Sequence, residues 1–256
     1  IAAEIEIELL DAATGVKRAV PFEVAAVCGI CNGSGAEPGT VPIACPTCGG
    51  AGRVQQITES AFGRFVRAGA CPRCQGQGVV IEKPCRTCNG GGRVLEERSL
   101  DVDVPAGIHD GQRIRISGEG HAGVDGGGAG DVYVLVRVKP DERFAREGND
   151  VFSTVPVTIT EAALGTTVTV PTLDGEQEIE IAAGAQPGDV VTLRGRGMPV
   201  LQGRGRGDHR ILVEVRVPRR LSPEQRKLLE DFAGSADEQT YAAADGFFGR
   251  IKSAFR

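Results

Sequence analysis

The sequence predicts a mainly β protein: two tandem homologous small β-sandwich domains, the first interrupted by a cysteine-rich insert, then a C-terminal helix. Three observations lead there. The chain repeats itself, all eight cysteines fall where the repeat is broken, and apolar residues recur at every second position through much of the remainder.

The repeat sets the domain plan. Residues 106–118 (AGIHDGQRIRISG) resemble residues 183–195 (AGAQPGDVVTLRG), and Gly107, Gly118, Gly130 and Asp131 return as Gly184, Gly195, Gly207 and Asp208, all at an offset of 77. Upstream the offset changes: Ala12-Ala13-Thr14-Gly15 returns as Ala162-Ala163-Leu164-Gly165, and Val20-Pro21 as Val170-Pro171, at 150. The first copy therefore carries roughly 73 residues that the second lacks, between Pro21 and Leu100. Loops tolerate such insertions because closure entropy grows slowly with length. The expected boundaries are a first β-domain over 1–140, interrupted by a cysteine-rich module at 28–94, a second β-domain over 141–218, and a helix with its tail over 219–256.

Within each copy, the alternations Ile5/Ile7/Leu9, Val102/Val104, Ile114/Ile116, Val155/Val157/Ile159 and Val168/Val170 read as strands with one buried face. Leu10–Ala13 and Glu161–Leu164 each read as one helical turn ended by a glycine. Past Pro218 the period changes. Ser222 is a good N-cap, Pro223 a good first helical residue, and Gln225 completes a capping box. Leu228, Leu229 and Phe232 then share a helical face that Gly234 is expected to stop. Residues 235–246 read as a small, polar link, and 247–256 (FFGRIKSAFR) as a final turn of helix. His109 and His209 flank strands and read as surface-loop residues.

Composition narrows the function classes. No run of about 18 apolar residues spans a membrane, and no basic leader precedes the first strand, so a cytoplasmic chain without a signal peptide is expected. A net charge of -5 disfavours a polyphosphate partner. The one basic stretch, Arg194–Arg210, reads as a solvated glycine-rich loop.

Four copies of one motif occupy the insert: CGICNGSG (28–35), CPTCGGAG (45–52), CPRCQGQG (71–78) and CRTCNGGG (85–92). Each is C-x-x-C-x-G-x-G, and two cysteines three apart on a tight turn supply half of a tetrahedral four-thiolate zinc site. The glycines let backbone amides approach the sulfurs and offset their charge. Four knuckles thus make two complete sites, for two zinc ions per chain. No histidine lies in the insert and four thiolates leave no open position, so the zinc is structural rather than catalytic. Spacing alone fits sequential or nested pairing of the knuckles equally well.

At these residues the sequence resembles the type-I, zinc-containing DnaJ co-chaperones. Supporting segments are VPAGIHDGQRIRISGEG (104–120), FAREGNDV (144–151) and ALGTTVTVPTLDG (163–175), and the resemblance covers essentially the whole chain. It implies nested pairing: Cys28, Cys31, Cys85 and Cys88 around one zinc, Cys45, Cys48, Cys71 and Cys74 around the other. It also implies a non-enzymatic module that captures unfolded polypeptide in a hydrophobic groove on the first β-domain and passes it to a DnaK-type chaperone. By position the groove residues are Ile1, Val20, Phe22, Leu100 and Val134, and the bland alternative for each is ordinary sandwich core. Homodimerisation through the C-terminal region is implied, with Leu228, Leu229 and Phe232 as contacts. The family's His-Pro-Asp signature and Gly/Phe-rich linker are not in this sequence, so client binding without stimulation of ATP hydrolysis is expected.

Two other classes compete. Thiol–disulfide exchange by the C-x-x-C pairs would require a thiolate to become exposed. Nucleic-acid binding would use Arg53, Arg64, Arg67, Arg73, Arg86 and Arg93 with Phe62 and Phe65, a set poor in stacking groups. Catalytic triads, paired-carboxylate sites and phosphate-binding loops find no motif.

Overall fold

The computed structural model describes residues 1–60, 63–124 and 126–241, with side chains for all of these but 56–60 and 63–66. Phe62 and the segment 247–256 lie outside the described residues, as does the side chain of Phe65. The chain forms two compact units, Ile1–Phe152 with Leu193–His209, and Ser153–Thr192 with Arg210–Arg256.

The fold is mainly β. The first copy begins with β1 (Ala2–Ile7), the helical turn α1 (Leu9–Thr14) and the long strand β2 (Val16–Val27). The insert follows, with β3 (Ile43–Ala44), β4 (Arg53–Ser60), β5 (Gly63–Ala70) and β6 (Val79–Val80). The chain returns through β7 (Arg93–Val104), β8 (Arg113–Ile116) and β9 (Val132–Val138). Parallel pairing of β1 with β9 and antiparallel pairing of β8 with β9 give one sheet, β1-β9-β8; β2 and β7 form the other. The period-two faces supply the core: Ile5 and Ile7, Val132, Val134 and Val136, Val20, Phe22 and Val24, Val102 and Val104 are all buried.

The second copy repeats this plan with β11 (Asp150–Thr158), α2 (Ile159–Leu164), β12 (Thr166–Thr172), β13 (Gly175–Ile181), β14 (Val190–Leu193) and β15 (His209–Arg216), preceded by β10 (Ala145–Glu147). Its sheets run β10-β11-β15-β14 and β12-β13. Where the first copy inserts its module, β12 and β13 close directly, with Thr172 opposite Gly175.

Three local expectations are revised. Leu9 and Ile159 open the helical turns rather than extending the strands, because Glu8 and Thr158 each form a capping box with the third helical residue. Gly234 does not end the last helix, α3, which runs Pro223–Ser235; the Ser235 hydroxyl and the Ala236 amide both donate to the Phe232 carbonyl, carrying the helix past the glycine. His209 is no loop residue. It opens β15 on the inward parity shared with Ile211 and Val213, is fully buried, and stands edge-on to Phe144 with ring centroids 5.7 Å apart. The expected N-cap Ser222, with Pro223 at the first position and Gln225 closing the box, is observed.

Candidate metal centres and peptide edge

Each knuckle folds the same way. The residue after the second cysteine takes a left-handed backbone (φ 49° at Asn32, 59° at Gly49, 52° at Gln75, 50° at Asn89), as short amides and glycine tolerate best. The carbonyl of the second cysteine then accepts from the amide three residues on: Ser34 to Cys31, Ala51 to Cys48, Gln77 to Cys74, Gly91 to Cys88. This turn aims the motif's last amide at sulfur. Gly52 donates to Cys48 Sγ at 3.3 Å, Gly78 to Cys74 Sγ at 3.3 Å and Gly92 to Cys88 Sγ at 3.2 Å.

Main-chain bonds also choose the partners. The Cys28 amide donates to the Gly92 carbonyl and the Cys85 amide to Gly35; the Cys45 amide donates to Gly78 and the Cys71 amide to Gly52. The first knuckle is thereby joined to the fourth, and the second to the third. Cys28, Cys31, Cys85 and Cys88 form one tetrad and Cys45, Cys48, Cys71 and Cys74 another, each with its sulfurs within 4.8 Å of one another. The structure brings the cysteines together in the nested arrangement.

The spacing suits a metal. Cys31–Cys88, Cys45–Cys71 and Cys48–Cys74 sulfurs lie 3.7, 3.9 and 3.8 Å apart. A tetrahedron with zinc–sulfur bonds near 2.3 Å has edges of about 3.8 Å, whereas a disulfide needs about 2.05 Å. Electrostatics point the same way. Burial raises the Cys45 thiol, but the Thr47 and Cys48 amides outweigh it and bring the pKa down to about 6. The Cys88 amide, acting against burial, brings Cys85 down to about 7. Burial instead drives Cys48 and Cys88 up to about 11, beyond what the Gly52 and Gly92 amides offset, and the neighbouring thiols add to the rise. In each tetrad a raised thiol, Cys48 or Cys88, holds a proton that a divalent cation would replace.

The proposed groove residues divide. Val20 and Val134 are fully buried in the sandwich at 1% and 0% exposure, Phe22 is at 9%, and Ile1 and Leu100 are half-buried. Val20 pairs with Leu100 across β2 and β7, and the Ile1 carbonyl accepts from the Tyr133 amide beside Val134. On α3, Leu228 and Phe232 are exposed at 69% and 51%, Leu229 is half-buried, and no residue of the helix is buried. Of the arginines weighed for nucleic acid, Arg86 lies 3.9 Å from Glu37 and Arg93 donates to the Ala122 carbonyl.

Two features escaped the sequence. One is the glycine pairing that selects knuckle partners, which no spacing rule encodes. The other is the loop 118–131, where His121 and Ala122 bond both main-chain groups of Ala25 on β2. Its signal was present in the repeat: His121 and Ala122 align with Met198 and Pro199, a change of chemistry at the contact.

Comparison with known proteins gives one family. The profile described as DnaJ C terminal domain matches residues 1–218, and that described as Chaperone protein DnaJ C-terminal region matches residues 224–256. Relatives named Chaperone protein DnaJ include those of Halalkalibacterium halodurans, 42% identical over 98% of this chain and 68% of the relative, and Acetivibrio thermocellus, 41% identical over 98% and 65%. That of Chelativorans sp. is 46% identical over 98% and 67%. The chain thus spans about two thirds of the length of these relatives.

Proposed function

Because this chain belongs to the DnaJ chaperone family, we propose that it is the part of such a chaperone that holds non-native polypeptide and passes it to a DnaK-type partner in the cytoplasm. The observation that carries this reading is the open edge of β2. Among the described residues, β7 is the only strand paired with β2 and the main chain of residues 16–24 has no other partner, and Phe22 on β2, with Leu100 and Ile1 near it, is not fully enclosed. An extended client segment adds to such an edge through main-chain hydrogen bonds while a side chain enters the apolar groove, so affinity needs no particular sequence. Val20 and Val134 form the floor of that groove. No covalent chemistry is involved.

Each tetrad holds one structural zinc, and the two ions fix the module over 28–94 that interrupts the first β-domain (1–140). The second β-domain (141–218) carries the chain to residues 219–256, where the exposed face of Leu228, Leu229 and Phe232 pairs two copies. A homodimer would present two such edges to one client and gain by effective concentration.

The test is metal content by mass spectrometry together with suppression of aggregation of a denatured model protein, without ATP. Two zincs per chain and protection that weakens several-fold in Leu100→Asp, with metal content unchanged, are expected. Full protection by that variant would remove client binding from this edge. Rapid alkylation of two or more cysteines in the zinc-loaded chain would return them to thiol–disulfide exchange.

A further inference from the structure

The open edge of β2 has a built end. The Ala25 amide donates to Nδ1 of His121 at 2.9 Å, and the Ala122 amide donates to the Ala25 carbonyl at 2.8 Å. Both main-chain groups of Ala25 therefore face away from β7 and are occupied. By strand parity the main-chain groups of Lys17, Ala19, Pro21 and Glu23 face the same way. Among the described residues nothing outside the β2–β7 ladder bonds the main chain of residues 16–24. The Arg93 guanidinium, on the partner strand, holds the loop in place by donating to the Ala122 carbonyl at 2.9 Å.

The repeat provides an internal comparison. The loops of both copies share two cross-bonds, Gly120 to Gly130 and Gly130 to His121 in the first, Gly197 to Gly207 and Gly207 to Met198 in the second. The residues at the tip differ. Met198 is fully buried, whereas His121 is exposed and reaches a strand edge instead. The counterpart of Ala25 is Gly175, the first residue of β13 and past the end of β12 at Thr172, so the second copy has no outgoing strand at that position to end. Packing of the loop alone is satisfied by an apolar side chain; a hydrogen-bonding one appears in the copy whose strand runs on past that position.

We propose that His121 and Ala122 act as a stop that ends the client-binding edge of β2 at Glu23. This rests on the strand-addition reading above. An added strand can occupy Val16–Val24, on the order of eight residues at about 3.3 Å each, and no further toward the cysteine module. Pro21, which has no N–H, denies it one donor midway, so register is set by a gap in the middle and a barrier at one end.

The test uses the zinc-loaded chain with extended peptides alternating leucine and threonine, from about six to about twelve residues long, read by affinity and by amide hydrogen exchange. In the unaltered chain the Ala25 amide should exchange slowly without peptide, and the Lys17, Ala19 and Glu23 amides should slow only when peptide is added. Affinity should stop rising near eight residues. In His121→Ala the Ala25 amide should exchange rapidly alone and slow on binding longer peptides. Those peptides should gain about fivefold, the worth of one added main-chain hydrogen bond. Ala122→Pro, which removes the Ala122 donor and places there the residue of the counterpart position Pro199, should shift the plateau in the same direction, and His121→Gln, which keeps an acceptor, should restore it. Peptide that binds without slowing Lys17, Ala19 and Glu23 overturns strand addition at this edge, and the stop with it. Peptide that slows those amides while its length dependence is the same in all variants overturns the stop and leaves strand addition standing.

Discussion

Gly35 shows how a single backbone position decides a metal site. With φ at 70° it lies against the carbonyl of Gly90, and Gly92 stands in the same relation to Gly33 across the knuckle pair. A Cβ on Gly35 would press into that carbonyl, which belongs to backbone and cannot swing aside. Gly35→Ala should therefore weaken zinc at Cys28, Cys31, Cys85 and Cys88 by about 10- to 100-fold while the other tetrad keeps its metal. Competition with a chromophoric chelator would show one tight and one weakened zinc; two unchanged sites would dismiss the glycine contact as incidental. The motif spelled out these glycines in the sequence, but not which knuckle each would meet, because that contact is made across tens of residues of chain. His209 was legible only as a residue beside a strand. Burial holds its pKa below the ordinary 6.5, so the folded state refuses a proton that the unfolded chain accepts. Its contribution is fully present above about pH 6.5 and is lost as pH falls from there through the depressed folded value, at no more than about 1.4 kcal/mol per pH unit. Chemical denaturation at several pH values should show this slope, and His209→Phe should flatten it.

At the scale of elements, period and capping were readable and endings were not. The capping box at Ser222 is written in adjacent residues, as is the one at Thr158 that the strand reading of Ile159 passes over, whereas the run of α3 through Gly234 depends on a Ser235 hydroxyl turning back onto Phe232. The cysteine module was recognisable as a unit because four copies of its motif fall where the domain repeat is broken. Its buried clusters are the tetrads themselves, with Val94 beside one and Val54 and Val80 beside the other. Strands as short as Ile43–Ala44 and Val79–Val80 cannot hold it together alone. Chelation should remove on the order of 10 kcal/mol of folding energy from residues 28–92 and leave the sandwich cores intact. Two-dimensional amide spectra of the metal-free chain should lose the module's dispersed signals and keep those of Val134 and Val213. Retention of the module's signals would mean that metal is not what folds it.

At the scale of the whole molecule, internal repetition carried most of the plan, since the offsets of 77 and 150 recur as matched strand orders in the two copies. What repetition could not supply is the use of α3, which has no counterpart in the first copy. Its Leu228 and Phe232 are exposed by 69% and 51%, Leu229 is half-buried, and no residue of the helix is fully buried. An amphipathic helix gains most of its stability from an apolar face packed on something, so a helix of 13 residues with that face open calls for a partner. If the partner is a second copy, an isologous contact places each Leu228 near its symmetry mate or near Phe232 of the other chain. Leu228→Asp with Phe232→Asp then buries like charges opposite one another. Sedimentation velocity should show a dimer converted to monomer, with Kd raised by about 100-fold or more. Zinc content and binding of one short peptide should be unchanged, whereas protection of a long denatured client should fall, because only long chains engage two edges at once. A variant that stays dimeric would move the contact off α3; one that turns monomeric yet protects long clients as before would separate dimerisation from client holding.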